Sequence, residues 1–128
     1  MDPKEFANSL NHASKLIEEE KYTEALDLLD QLKNIDKKND LNYNLIHRLY
    51  QLDSNARSLY NQQLILKHLN NIAKNQKSIS FHELNIKLQN SNELNISDEI
   101  LRREIELLIL RNLISCAITN NTIIFKSS

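Results

Sequence analysis

Glycine is missing altogether from this chain of 128 residues, and tryptophan is missing as well. Glycine-rich phosphate loops, dinucleotide-binding turns and nucleophile elbows use glycine because their backbone takes positive φ or approaches the ligand closely. None of these motifs can be built here in its usual form. The sequence therefore argues against a nucleotide-dependent enzyme, and we expect a protein without catalytic residues.

Cysteine occurs only once, at Cys116, so no disulfide can form within the chain. This usage favours a reducing compartment, and we expect a cytoplasmic or nuclear protein. Cys116 alternates with Ile114 and Ile118 along a predicted strand, which favours a small core residue over a reactive nucleophile.

Clusters of metal-ligating residues are also missing from the sequence. Four histidines lie far apart along the chain: His12, His47, His68 and His82. A protein metal site needs three or four ligands that converge. We therefore expect no bound metal and no cofactor.

Long apolar runs are absent too, since no stretch approaches the ~18 residues that a membrane span needs. The first ten residues, MDPKEFANSL, lack the basic and apolar regions of a signal peptide. The net charge of −1 gives no overall attraction to membranes or nucleic acid. We expect protein partners, no membrane contact and no small-molecule substrate.

Apolar residues at helical spacing predict four helices in the first 75 residues. Asp2 is a predicted N-cap, with Pro3 at the first helical position. The first helix ends near Glu20, and the second packs antiparallel to it because the link is short. A polar connector at residues 36–40 precedes a third helix, which ends near residues 53–55, and a fourth that ends near Asn75. The apolar positions of these helices are Phe6, Leu10, Ala13 and Ile17; Ala25, Leu28, Leu29, Leu32 and Ile35; Leu41, Leu45, Leu49 and Leu52; and Leu59, Ile65, Leu66, Leu69, Ile72 and Ala73.

The pattern changes after Lys77. Residues 78–80 predict a short strand, and Ser80 with Glu83 forms a capping box that starts a brief helix. A polar loop at residues 90–95 follows, and Ser97 caps a second helix. Two apolar stretches around the pair Asn120-Asn121 then predict a β-hairpin. Predicted core positions of this part are Phe81, Leu84, Leu88, Leu101, Ile105, Leu108 and Ile109.

The order of strand, helix, helix and hairpin is that of a winged helix. The predicted fold class is therefore mainly α: antiparallel helical hairpins followed by a C-terminal winged helix with a small β-sheet. The predicted division places a helical-repeat extension at residues 1–55 and the winged helix at residues 56–128.

The C-terminal segment resembles the winged-helix end of PCI domains, which occur in the proteasome lid, the signalosome that deconjugates cullins and eukaryotic initiation factor three. The matching positions are Glu104, Glu106, Leu107, Ile109, Leu113, Ile114 and Ile118. The chain departs from the family pattern because it lacks the glycine before the first wing strand and is short. The resemblance implies a non-enzymatic scaffold or adaptor subunit that assembles through its winged helix.

Two further resemblances concern the helical residues. The segment EEEKYTEALDLLDQLKNID is similar to part of a tetratricopeptide-type helix pair, which PCI proteins carry upstream. Its core, EALDLLDQLKNI, also resembles a helix of the TFIIS N-terminal domain, a module of transcription elongation factors. That domain ends in a Trp-Lys pair, which this chain cannot supply. The elongation-factor module is the alternative interpretation.

The candidate functional residues form two sets. Residues of the predicted hairpin are candidate structural and interaction residues, because PCI winged helices join laterally: Ile114, Ile118, Ile123, Ile124 and Phe125. The alternative is a winged helix that binds nucleic acid, or a contact with an acidic partner, through basic residues: Lys74, Lys77, Lys87, Arg102 and Arg103. The predicted helix that Ser97 caps holds more carboxylates than arginines, which disfavours binding of phosphate by this helix.

Overall fold

The computed structural model describes residues 1–36 and 42–126. Within these ranges the regular elements are α1 (Pro3–Glu18), α2 (Tyr22–Asp36), α3 (Tyr43–Ala73), β1 (Ser78–Ser80), α4 (Phe81–Asn90), α5 (Asp98–Leu110), β2 (Cys116–Thr119) and β3 (Thr122–Phe125). The protein is mainly helical with a small antiparallel sheet near its C-terminus, as the sequence predicts at this level. Most of the predicted connector, together with Leu41, lies outside the described residues.

The chain divides into two compact units, Met1–Tyr60 and Asn61–Ser128, so the division falls inside α3. The sequence placed a boundary between residues 55 and 56. Both units contain their own cluster of buried apolar side chains.

Hydroxyl and carboxylate side chains start the helices where the sequence predicts them. The Asp2 carboxylate accepts a hydrogen bond from the Glu5 amide at 2.8 Å. In the same way Ser80 Oγ caps α4, and Ser97 Oγ accepts from the Ile100 amide at 3.2 Å. These contacts satisfy backbone donors that have no partner inside the helix. The three predicted caps are confirmed.

Among the described residues, left-handed backbone follows the ends of three helices, although the chain contains no glycine. Glu20, Asn92 and Asn112 have φ of 62°, 59° and 58°. After α1, the Glu20 amide donates to Ile17 O and the Lys21 amide donates to Leu16 O, which is a Schellman motif. Asparagine tolerates this conformation better than most residues, but glutamate has no such advantage. Glu20 is therefore a position where the absence of glycine costs stability.

Helix α3 runs without interruption from Tyr43 to Ala73, so the predicted helix break at residues 53–55 is wrong. A polar side chain ends a helix by competing for backbone hydrogen bonds. Here the Asp53 carboxylate is held instead by Lys33 Nζ at 2.8 Å and by Arg57 Nε at 3.3 Å. With its carboxylate bound to these cations, Asp53 stays inside the helix.

The first unit is held by apolar side chains from α1, α2 and the first part of α3. Those that are buried are Phe6, Leu10, Ala13, Leu16, Ile17, Tyr22, Ala25, Leu29, Leu32, Leu49 and Ala56. Leu28, Ile35, Leu45, Leu52 and Leu59 were expected on the buried faces and are partly buried. The helical periodicity thus identified the packed faces but missed Leu16, Tyr22 and Ala56.

The second unit packs α4, α5, the sheet and the last turns of α3 around a separate core. Its buried residues are Ile65, Leu69, Ile79, Phe81, Leu84, Leu88, Leu94, Leu101, Ile105, Leu108, Cys116 and Ile123. Cys116 is 3% exposed, which confirms its prediction as a small core residue. Two details differ: Ala73 is exposed although it was expected to be buried, and Leu94 is buried inside the loop predicted to be polar.

The strands form a three-stranded antiparallel sheet in the order β1-β3-β2. Ile79 lies opposite Ile123 in one pair, and Ile118 lies opposite the same Ile123 in the other. Asn120, with φ of 56°, makes the predicted two-residue turn between β2 and β3. The central strand β3 therefore has neighbours on both sides, whereas β1 and β2 each have one uncovered side in the described sheet.

Candidate interaction surface

The outer side of β2 is the feature of the second unit best suited to binding. Residues of an antiparallel strand direct their backbone N–H and C=O groups alternately to the two sides. The Lys126 amide donates to Ser115 O at 3.1 Å across the β2–β3 pair. This bond sets the alternation, so that Ala117 faces β3 while Cys116 and Ile118 direct their backbone groups away from it.

The backbone groups of Cys116 and Ile118 have no hydrogen-bonding partner on that side among the described residues. The opposite outer strand, β1, is only three residues long and leads directly into α4. An uncovered strand edge presents a row of donors and acceptors that pair readily with an added strand. We call the outer side of β2, residues 116–119, the open edge.

A shallow groove lies beside the open edge. It has a volume of about 290 Å³. Its lining comes from the last turn of α5, the following loop, β2 and the end of β3: Ile109, Asn112, Leu113, Ile114, Ser115, Cys116 and Lys126. Leu113 is 46% exposed, whereas Leu110, which is 76% exposed at the end of α5, does not line this groove. The open edge is thus bordered by apolar surface that is in contact with water.

The predicted hairpin residues serve mainly to hold the unit together. Ile123 is fully buried on the central strand, and Ile114, Ile118 and Phe125 are partly buried against the same core. Of the predicted set, Ile124 is the most exposed, at 40%. A partner can reach the edge through the backbone of Ile118 and through Ile114 in the groove, but it cannot reach the Ile123 side chain. Their role as contact residues stays a prediction.

Sequence reasoning missed Leu113 as an exposed apolar residue beside the edge and Leu110 as an exposed apolar residue at the end of α5. Leu113 was noted only as a match to a family motif, and Leu110 was not singled out. The signal was available, because an apolar pair that follows the last inward residue of α5 extends beyond the face needed for packing.

The electrostatics of the groove come from Lys126 and the thiol of Cys116. Burial raises the pKa of the Cys116 thiol, and the nearby Lys126 ammonium opposes that rise without cancelling it. The thiol therefore stays protonated near neutral pH. Because the thiolate is the reactive form, Cys116 in the folded protein is a poor nucleophile.

The predicted arginines of α5 are engaged with other groups of the protein. Arg102 lies over the Phe81 ring, with its guanidinium carbon 5.1 Å from the ring centroid, and its Nε is 3.3 Å from Glu106. It also donates to the Asn120 carbonyl at 3.4 Å, which ties the helix to the hairpin turn. Arg103 Nε is 3.6 Å from the fully buried Glu104. Arg102 in particular acts as a structural residue.

The predicted lysines Lys74, Lys77 and Lys87 are all exposed. No ion pair links any of them to a carboxylate within residues 1–36 and 42–126. They lie on three different stretches: after α3, before β1, and on α4. These lysines remain available to an anionic partner.

Buried polar contacts position the helices that carry the groove. The Asn85 amide donates to the Asp98 carboxylate at 2.6 Å and to the Ile96 carbonyl at 3.1 Å, which fixes α4 against the start of α5. At the other end of α5 the Arg111 guanidinium donates to the Gln62 side chain. Neither contact was predicted, since sequence periodicity gives no information on which polar side chains meet.

Two further cavities are lined by described residues of the second unit. One of about 420 Å³ is lined by residues at the end of α4 and in the following loop: Gln89, Asn92, Glu93, Leu94 and Asn95. Another of about 280 Å³ lies between Phe81, His82, Asp98, Glu99, Arg102 and Asn121. Glu93 of the first cavity lies 3.6 Å from the His68 imidazole, and Arg102 of the second already has partners.

No set of three or more His, Cys, Asp or Glu side chains is placed to hold a metal ion in the part of the chain that the structure describes. None of the helices in that part combines the length and apolar character that a bilayer crossing requires. Comparison of the chain with protein-family models, with curated proteins and with solved structures found no match.

Proposed function

We propose that this protein is a non-enzymatic scaffold or adaptor subunit that joins a larger protein assembly through its C-terminal unit. In this proposal the second unit is a winged helix, with α4 and α5 as its helices and β2–β3 as its wing. The element order and the sheet order β1-β3-β2 support that interpretation. The resemblance to PCI domains supports an assembly of the proteasome-lid, signalosome or translation-initiation type, in the cytoplasm or the nucleus.

The observation that carries the proposal is the open edge with apolar surface beside it. Backbone pairing at a strand edge gives affinity for another chain, and neighbouring side-chain pockets give specificity. Natural proteins usually protect such edges by covering or charging them. Leu113 instead places an exposed apolar group next to this edge. Burying this side chain against a partner would stabilise the assembly, since a fully buried leucine contributes roughly 1.5–3 kcal/mol.

The test is a quantitative affinity purification from cells that produce the protein. The wild type is compared with Leu113→Asp in the groove and, as a matched control, with Asn90→Asp at an exposed position of α4. We expect stoichiometric partners with the wild type and with the control, and their loss with Leu113→Asp. A wild-type protein that stays monomeric and recovers no stoichiometric partner would refute the proposal.

A nucleic-acid function is the second candidate. The observation in its favour is that Lys74, Lys77 and Lys87 are exposed and form no ion pair with a carboxylate in the described part of the chain. Arg102 and Arg103 are both engaged with carboxylates, which argues against α5 binding in the major groove of DNA. Binding of single- or double-stranded DNA or RNA is measured at low salt and again at higher salt. The candidate requires binding that weakens steeply with salt and on replacing Lys74, Lys77 and Lys87 by alanine. Undetectable binding at low salt removes it.

A further inference from the structure

The open edge and the groove meet at Cys116, which belongs to both. An extended peptide that pairs with the backbone of Cys116 and Ile118 therefore runs alongside Leu113 and Ile114. Alternate side chains of an added strand point to the same face. The groove, at about 290 Å³, is near the lower limit of ligand pockets, roughly 300 Å³, so it suits one or two apolar side chains rather than a cofactor.

The charge around the groove is positive. Among the described residues that line the groove, Lys126 is the only charged one. Neither its ammonium nor the Arg111 guanidinium is paired with a carboxylate in the part of the chain that the structure describes, and Arg111 contacts the neutral Gln62. A carboxylate on the bound peptide would thus find a cation without a competing acid.

A second copy of this chain does not supply that carboxylate at the edge. Residues 112–126, which hold both hairpin strands and the residues that lead into them, contain no Asp or Glu. A hairpin from another copy would bring its own Lys126 to the joined sheet and no Asp or Glu side chain of residues 112–126 to neutralise either one. The charge pattern therefore favours a partner of different sequence over self-association.

From the open edge, the groove and the charge together, we infer that β2 binds an extended segment of a partner protein that carries an apolar side chain for the groove and an adjacent carboxylate for Lys126. The segment adds a fourth strand to the sheet outside β2. This inference rests on the proposed assembly function and names the chemistry of the partner.

The test uses the full chain and a phage-displayed library of short random peptides. Selection is carried out in parallel on the wild type, on Ile118→Pro and on Ile118→Ala. Proline removes the outward N–H of the edge and leaves the bonds to β3, whereas alanine shortens the same side chain and keeps the N–H. Circular dichroism verifies that each variant is folded.

We expect the wild type and Ile118→Ala to enrich peptides with alternating apolar residues next to Asp or Glu, and Ile118→Pro to lose them. For an enriched peptide measured by fluorescence anisotropy, Ile118→Pro should weaken binding more than tenfold. The wild type should bind a peptide that carries Asp or Glu more tightly than the same peptide with lysine in that position, and Lys126→Glu should reverse this preference. Lys87→Glu makes the same charge change on α4 and should leave the preference unchanged. Lys126→Glu leaves the edge intact and so tests the charge even if the proline variant fails to fold.

Three outcomes overturn the inference. The first is enrichment of no peptide, or of peptides that are basic or that bind Ile118→Pro equally well. The second is a dimer of the chain alone in sedimentation velocity that Ile118→Pro dissociates, since the occupant is then a second copy. The third is recovery of the same cellular partners by Ile118→Pro as by the wild type, which leaves the assembly function standing and moves its contact elsewhere.

Discussion

Glu20 offers a direct measure of what the absence of glycine costs this protein. It lies at the end of α1 with φ of 62°, in a Schellman motif where glycine is the usual residue. The Cβ of an L-residue in this region costs about 1–2 kcal/mol, and replacing it by hydrogen removes that cost. Glycine also has more conformational freedom in the unfolded chain, and this lowers the stability of the folded state by roughly 0.5–1 kcal/mol. We expect the change of backbone freedom in Glu20→Gly to stabilise the protein by about 0.5–1 kcal/mol.

The charge of Glu20 has to be separated from its backbone conformation. A carboxylate at a helix C-terminus is unfavourable by about 0.3–1 kcal/mol, so its removal alone adds stability. Glu20→Ala removes the charge and keeps the Cβ, and it is therefore the matched reference. Glu18→Gly is the second control: Glu18 lies inside the helix, where glycine is expected to destabilise by about 0.5–1 kcal/mol relative to alanine.

The assay is urea unfolding followed by circular dichroism at the helical band, with the midpoint and slope fitted for each variant. The expected order of stability is Glu20→Gly above Glu20→Ala, with Glu18→Gly lowest. An unchanged slope of unfolding free energy against urea concentration indicates that a shift in midpoint reflects a change in stability. If Glu20→Gly is no more stable than Glu20→Ala, a Cβ in the left-handed conformation at this position does not lower the stability of the protein, and the reasoning is wrong.

Three other predictions concern side chains that the folded structure has taken out of water. Asp53→Ala should destabilise the protein by about 1–3 kcal/mol in urea unfolding, because the largely buried Lys33 ammonium loses its nearest carboxylate and keeps only Asp30 at 3.8 Å, whereas Glu19→Ala at an exposed ion pair should change stability by less than about 1 kcal/mol. Asn85→Ala should cost about 1–3 kcal/mol by the same assay, since the Ile96 carbonyl and the Asp98 carboxylate both lose the buried amide that joins them, and an Asn90→Ala control should stay within about 0.5 kcal/mol; equal effects would contradict this role. Cys116 in the folded protein should react with iodoacetamide or a disulfide reagent at least about tenfold more slowly than after unfolding at pH 8, because its raised pKa keeps it protonated and its burial blocks access, and equal rates would show that the thiol is exposed.

The sequence was most informative where local chemistry decides the structure. Helix caps at Asp2, Ser80 and Ser97, the short strand at 78–80 and the Asn-Asn turn follow from side chains acting on their own backbone. These were predicted from residue type and spacing alone.

The break expected at residues 53–55 shows where such reasoning ends. Whether Asp53 ends a helix or stays inside it depends on Lys33, which comes from another helix. A contact of this kind is set by tertiary packing and has no signature in the local sequence. The open edge is similar, since only the order β1-β3-β2 reveals that β2 lies outside and that Ile123 is buried at the centre.

The position of β3 at the centre of the sheet also determines how this unit must fold. Neither β1 nor β2 pairs with the other, so both depend on β3 for every strand contact in the described sheet. The β2–β3 hairpin is local and can close within roughly 1–10 µs. Pairing of β1 joins Ile79 to Ile123, far apart in the chain, and must overcome a larger loop-closure entropy. Docking of β1 onto a preformed hairpin is therefore the expected slow step, and substitutions in β3 should lower the folding rate more than equally destabilising ones in β1.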